Sequence, residues 1–332
     1  MRRKKTFEGL IALFQQVAAA QPLVLALDDL QWLDEPSREV ISSILDEISS
    51  SRILLVLISR PEFQPPWQKH LSYTSLPLPI LPRTEGKHLA QALFDAPVSL
   101  ELEEFIIRRT EGNPFFVEEL TRALRETQVV KCDGSYSLVV SPSKLNVPET
   151  VQGVLAARMD RLDSEIKNTL QTASVIGHEF DILVLKKVLE VKGSKLKGQL
   201  NILTRTGFIQ SLSQKGKAYT FKHALTRDVA YETLLKANRR KLHRQVGDST
   251  KQVLHGIIAT QPEILAYHYT EAELLDQAIP YWQLGGEKAI QRSANVEAIT
   301  YLSKGIELLK AMPDTPERAQ KELALQLALG VP

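Results

Sequence analysis

The chain has 332 residues, of which 43% are hydrophobic, 24% charged and 6% aromatic; these values exclude a disordered or fibrous chain and leave room for two or more domains. Its 41 Lys and Arg against 39 Asp and Glu give a net charge of +2, too little by itself to imply a nucleic-acid or membrane surface. The single Cys132 rules out an intramolecular disulfide or a multi-cysteine metal site, and the longest apolar run, Ile53 to Ile58, is far short of a bilayer-spanning helix, so a cytoplasmic protein with no membrane segment is expected.

Apolar residues at Leu10, Leu13, Phe14, Val17 and Ala18 predict a helix over 6–20 that Gln21-Pro22 stops. Pro22 to Asp29 is an almost unbroken apolar run ending in two carboxylates, which predicts a strand buried on both faces in a parallel sheet. A helix over 38–48 and a second strand over 52–58 complete a β-α-β unit, and a helical crossover makes the two strands parallel. Beyond Pro82 the pattern is mostly helical, at 85–95, 100–109 and 115–126, with Cys132-Asp-Gly-Ser135 as the turn of a hairpin between Val129 and Val139. Helices are expected over 150–162 and 164–174. The next segment has helices 181–189 and 194–206, strands 208–212 and 218–221 joined by a turn at 214–217, and a helix over 224–236, the order of a winged helix. From Pro262 onward the pattern is helical, and Gln277-Ala-Ile-Pro-Tyr-Trp282 is echoed by Glu297-Ala-Ile-Thr-Tyr-Leu302, a sign of a helical-repeat array.

Carboxylates at the end of a parallel strand sit where α/β sheets bind ligands, so one of Asp28 and Asp29 can hold a hydrated magnesium ion and the other can polarise an attacking water; an acid pair capping the loop is the alternative. Arg60 ends the second strand and can sense a terminal phosphate or simply face solvent. Gly112-Asn113-Pro114 is a turn before a helix and can let the chain pass close under a flat ligand. Seven scattered His show no HExxH spacing, and no Ser lies in GxSxG.

Taken in order, the segments Pro22–Asp34, Ile58-Ser-Arg-Pro-Glu-Phe63 and Glu111-Gly-Asn-Pro-Phe-Phe-Val-Glu-Glu119 resemble the Walker B, sensor 1 and GxP segments of STAND-class signalling ATPases. The resemblance is nearest to the ATPase modules associated with class III adenylate/guanylate cyclases and with MalT/LuxR-like regulators. It continues through Val147–Gln152, Arg158–Leu162, Ala173–Gly177, Phe221–Tyr231 and Leu265–Tyr269, and so covers nearly the whole chain. It implies a mainly α fold with a partial α/β domain: a truncated parallel-sheet NTPase core over 1–82, a helical lid over 83–162, a winged helix over 163–240 and the start of a TPR-like array over 241–332. It further implies ATP or ADP with Mg2+ as ligands, Asp28 and Asp29 as the Walker B acids, Arg60 as the sensor and Pro114 beside adenine in the turn of Gly112 and Asn113. His223 would touch the ADP β-phosphate; a core histidine bonded to backbone is the other reading.

The sequence contains no G-x-x-x-x-G-K-[ST] phosphate loop, so ATP hydrolysis by these residues alone is not expected. A fragment, a split gene or a degenerate remnant is expected instead, with a separate Walker A-bearing chain among the partners. The implied role is that of a nucleotide-gated switch in signal transduction, taking a protein partner or ligand on its repeats and controlling a cyclase, kinase or transcription effector. Two other readings stand beside it. Between Lys186 and Lys222 nine basic residues face the single acid Glu190, which suits a DNA-binding regulator or a merely solvated face. Tyr267, Tyr269, Tyr281, Trp282 and Tyr301 suit either a helical core or a protein-interaction scaffold.

Overall fold

The computed structural model describes residues 2–48, 51–141, 145, 147–212 and 217–330. Two compact units divide the chain, Met1–Leu78 with Trp282–Pro332 and Pro79–Tyr281. The first opens with helix α1 (Arg2–Ala20), strand β1 (Leu23–Leu27), a 3-10 turn at Leu30–Trp32, helix α2 (Glu35–Ile48) and strand β2 (Ile53–Leu57). β1 and β2 run parallel, from Leu23 opposite Ile53 to Leu27 opposite Leu57, as the helical crossover requires.

The expectation of burial on both faces is not met. Leu27, Leu55 and Leu57 pack with Leu30, Ile41, Leu45 and Trp67 on the inner face. On the outer face Val24 is 60% and Leu54 59% exposed, and Val56 and Ile58 are exposed too. Successive strand side chains alternate between faces, and a continuous Leu/Val run is apolar at both parities, so the run cannot tell one covered face from two.

The second unit starts with helices α3 (Arg83–Leu93), α4 (Leu100–Thr110) and α5 (Pro114–Glu126), followed by a hairpin of β3 (Val130–Cys132) and β4 (Tyr136–Leu138). The hairpin pairs Cys132 with Tyr136, closing the tight turn at Asp133-Gly134-Ser135. Ala90, Leu102, Ile106, Val117, Leu120 and Leu124 form the core of these helices. Then come α6 (Val151–Asp160), α7 (Ser164–Ile176), β5 (Glu179–Asp181), α8 (Ile182–Leu189), α9 (Gly193–Arg205), β6 (Ile209–Ser211), β7 (Ala218–Phe221) and α10 (Ala224–Glu232). β7 is central in an antiparallel sheet of order β5-β7-β6, so the expected strand pair gains a third member. Leu155, Leu170, Phe180, Leu196, Leu200, Phe208 and Phe221 are among the residues that fill the core beneath it. Of the expected turn at 214–217, Gln214 to Gly216 lie outside the described residues.

The helix expected over 224–236 is two helices, α10 and α11 (Lys236–Val253). The Arg239 guanidinium donates to the carbonyls of Glu232 and Leu234, and the Thr233 hydroxyl to that of Ala230, so the corner satisfies the ends that a continuous helix would have paired. The corner also turns Leu234 into a core with Val175, Val184, Val188 and Val246. Helices α12 (Ile257–Thr260), α13 (Pro262–Glu271) and α14 (Leu275–Gln291) follow, and the division between the units falls within α14, just after its internal Pro280.

The rest of the first unit is helical, with α15 (Asn295–Leu309) and α16 (Pro316–Leu329). The echoed hexapeptides occupy equivalent places in α14 and α15, and Ala278 and Ala298 are both fully buried. α14 and α15 pack closely at Gly286, where an added Cβ would lie 2.5 Å from Leu302 Cγ. The chain is mainly α, with 16 helices and three small sheets among the described residues. None of those helices is long and apolar enough to cross a membrane.

Candidate functional site

The residues singled out by the sequence fall into two groups, one in each compact unit. In the first, Asp28 and Asp29 lie exposed just beyond β1, at the carboxyl edge of the parallel pair. The Asp29 amide donates to Asp28 Oδ1 at 2.8 Å, and the second oxygen of that carboxylate has no hydrogen-bond partner among the described residues. Asp29 has a left-handed backbone, φ 56°, a conformation that Asp tolerates better than most residues. Gln31 Nε2 donates to Asp29 Oδ1 at 2.5 Å, and Gln31 Oε1 accepts from the Arg60 amide at 3.3 Å. The Leu30 amide donates to the Ile58 carbonyl at 3.1 Å. The loops after the two strands are therefore tied together, and both carboxylates and Arg60 share one edge of the sheet. Gln31, which makes the tie, carried no signal in the sequence. No cluster of three His, Cys, Asp or Glu able to hold a metal exists among the described residues, so a cation here would be held by Asp28 and water, which is how magnesium is usually bound.

The second group is built on the turn before α5. Gly112 has φ +78° and its missing side chain is filled by backbone, since a Cβ would lie 2.3 Å from the Leu81 carbonyl oxygen; the Gly112 carbonyl accepts from the Leu81 amide at 2.9 Å. Gly112→Ala is therefore expected to lower the stability of this unit by about 1 kcal/mol or more, read as a drop in denaturation midpoint. Asn113 caps the helix, its Oδ1 accepting from the Phe116 amide, and Pro114 takes the first helical position, where its lack of an N–H costs nothing.

His223 precedes α10 and stacks at a tilt on Phe115, ring centroids 4.1 Å apart. Its Nε2 is buried with no hydrogen-bond partner among the described residues, an uncommon state for a buried polar atom. Burial, with Lys222 and Arg122 nearby, holds the imidazole below its ordinary pKa against the opposing pull of Glu118. Lys222 itself is engaged, its ammonium 2.8 Å from Glu118. Burial alone would raise Glu118, yet Lys222 and Arg122 keep it below the usual carboxylate range. The His223 ring therefore carries a buried, unpartnered nitrogen and packs on Phe115 just after the Gly112-Asn113-Pro114 turn of the sequence.

Two buried polar networks lie in the same unit. Arg158 of α6, fully buried, donates to Glu119 and Glu126 of α5 and to the Thr206 carbonyl at the end of α9, with its guanidinium 4.7 Å over the Phe208 ring. His243 of α11 and His268 of α13 meet through their Nδ1 atoms at 3.0 Å, and the Tyr231 hydroxyl lies 3.0 Å from His243 Nε2.

The architecture is mainly α with a small α/β part, and the fold is similar to that of a solved STAND protein. The chain superposes over 98% of its length on half of the crystal structure of a signal transduction ATPase with numerous domains (STAND) protein with a tetratricopeptide repeat sensor from Pyrococcus horikoshii, at a TM-score of 0.55 and 13% identity. In sequence it is 27% identical over 334 residues to an uncharacterized protein of Rhizobium meliloti (strain 1021), covering 99% of this chain and 32% of that protein. The chain thus spans about a third of the curated relative and half of the solved one. No family model matches it.

Proposed function

We propose that these residues form part of a nucleotide-gated regulatory ATPase of the STAND type, a switch in signal transduction. The observation that carries this reading is the shared sheet edge, where Gln31 ties the Asp29 carboxylate to the Arg60 amide and the Asp29 amide holds the neighbouring Asp28 carboxylate. Asp28 would hold hydrated Mg2+, Asp29 would orient water, and Arg60 would meet a terminal phosphate through parallel hydrogen bonds. By the resemblance in sequence, Gly112, Asn113 and Pro114 of the second unit would border a base and its His223 would meet a phosphate. Bound magnesium and nucleotide would supply charge neutralisation and a phosphoanhydride. With no phosphate loop in the sequence, turnover by these residues alone is not expected. ADP and ATP would act by preferring different arrangements, since a ligand shifts an equilibrium only by its differential affinity. The tetratricopeptide-like helices would take a protein partner or signal ligand, and the switch would serve the cyclase-associated or transcription-associated setting that the sequence implies.

Titrating the chain with Mg-ADP and Mg-ATP, read by calorimetry and thermal melting, tests the reading. A site without its phosphate loop is expected to bind at about millimolar affinity, raising stability by about 1.4 kcal/mol at tenfold excess over Kd. Asp28→Ala and Asp29→Ala should abolish the magnesium-dependent shift. His223→Ala should speed ADP release while leaving the melting temperature of the free protein nearly unchanged. If wild type and variants melt alike with and without saturating nucleotide, these residues hold none and the reading is wrong.

A further inference from the structure

The basic run between Lys186 and Lys222 plays no part in the nucleotide reading, and the structure sorts it residue by residue. Lys195 is tied to Glu165 at 2.6 Å and Lys222 to Glu118 at 2.8 Å, so neither is free. On α9, Leu196, Leu200 and Leu203 face the core. At the helical period of about 100° per residue, the stripe directly opposite is Ser194, Gly198, Asn201 and Arg205, flanked by Lys197 on one side and Ile202 on the other, all exposed. Lys197, Asn201 and Arg205 make no hydrogen bond or ion pair with the rest of the chain among the described residues. No acid occurs from Val191 to Lys222. Lys186 of α8 brings its ammonium to 3.9 Å from the Cβ position of Gly193, at the start of α9, where Lys192 provides no side-chain cap.

Gly198 is the second oddity of the stripe. A glycine inside an exposed helix is unfavourable relative to alanine, and nothing lies within 4 Å of its Cβ position, so no packing within the chain requires it. A bare backbone in the middle of a polar, cationic stripe lets a partner come close. The side chains beside it are the types that read nucleic acid: Lys and Arg donate to guanine edges or phosphates, Asn pairs with adenine in both directions, and Ser serves either. Lys197 to Arg205 spans about 12 Å of helix, roughly three to four base steps. Strands β6 and β7 follow α9 in the chain and join β5 in the antiparallel sheet, whose Phe180, Ile209 and Phe221 share a core with Leu196, Leu200 and Leu203 on the opposite, buried side of the helix.

We propose that this unit is a winged-helix module whose α9 enters the major groove of double-stranded DNA, with Lys197, Asn201 and Arg205 toward the base edges and Lys186 with the start of α9 on a backbone phosphate. The occupant is chosen by charge complementarity and by the absence of any aromatic side chain on the stripe, which single-stranded binding would use for stacking. The docking requires no nucleotide, so it stands or falls apart from the switch reading.

Fluorescence anisotropy of a labelled duplex of about 20 base pairs, roughly the length a small module and its flanks cover, with the full chain and no nucleotide present, tests it. Binding is expected at about 50 mM salt and should weaken steeply toward about 200 mM as counterions are released. Lys186→Ala/Lys197→Ala/Arg205→Ala should weaken binding at least about tenfold and flatten the salt slope by about one unit for each phosphate left without its cation. Lys69→Ala/Lys131→Ala/Lys310→Ala removes the same charge elsewhere and should change little. Gly198→Leu, which has open space and leaves the charge unchanged, should fold normally by circular dichroism and still lose binding by blocking the groove approach. The proposal is overturned by no duplex binding at low salt, by equal losses in the two triple variants, by wild-type affinity of Gly198→Leu, or by tighter binding to heparin, single-stranded nucleic acid or RNA duplex than to DNA.

Discussion

Arg158→Ala is expected to destabilise the second unit by about 3–5 kcal/mol. The cost comes from what is left behind. Glu119 is 2% exposed, and its burial already pushes its carboxyl above the usual range even with Arg158 beside it. Without the guanidinium, that carboxyl loses its charge partner and the Thr206 carbonyl loses its donor. Glu126, which is partly exposed, can turn to water and loses less. Urea unfolding followed by circular dichroism reads the effect as a fall in midpoint at constant slope. Arg158→Leu/Glu119→Leu should recover most of the loss, because replacing both members of a buried ion pair by apolar side chains is often neutral or stabilising. A loss below about 1 kcal/mol for Arg158→Ala would contradict the account.

Acidification gives the second large effect. Burial, with Arg227 and Arg239 adding, lowers His243 to about 4, and burial with His243 beside it lowers His268 to about 3. Only one proton can sit between two Nδ1 atoms at 3.0 Å, and a second would set two N–H groups against each other. Tyr231, Tyr267, Arg227 and Arg239 face the pair, and no carboxylate is among the groups that shift either ring. Both values lie below the unfolded one of about 6.5, so the unfolded chain binds more protons and stability rises with pH. The contribution is complete above about pH 6.5 and is lost as pH falls to about 4, amounting to about 3 kcal/mol from His243 alone. Urea midpoints at neutral pH and in acid measure the loss. In His243→Gln the pH slope over that window should be clearly shallower, since the carboxylates that contribute elsewhere are common to both proteins.

The legibility of this fold followed the physics of each signal. β1 and β2 were readable because two apolar runs joined by one amphipathic helix have few other ways to pair, and the hairpin because Asp133-Gly134 suits a tight turn. The acid pair and Arg60 were placed at one sheet edge by strand direction alone. β5 was not readable: Glu179-Phe180-Asp181 is three residues long, and Asp181 also caps α8. The corner between α10 and α11 was hidden because its stop is made by Arg239, which follows it in sequence and reaches back to close it. The exposed face of the sheet was hidden by composition, and Arg158 by its type, since an arginine reads as surface until two distant glutamates are found around it. Lys195 and Lys222 belonged to the basic run by sequence and left it by pairing with acids 30 and 104 residues away.

The bare outer face of β1 and β2 bears on how the protein behaves as a colloid. Val24, Leu54, Val56 and Ile58 turn an aliphatic strip to water on a molecule whose charges nearly cancel. Long-range repulsion between molecules is therefore weak at neutral pH, and what remains is screened within about 10 Å at about 0.1 M salt. Kosmotropic salts strengthen apolar adhesion while removing that repulsion, so sulfate or phosphate at high concentration drives this chain toward precipitation, and its solubility is highest in dilute buffer well away from its isoelectric point of about 8.5.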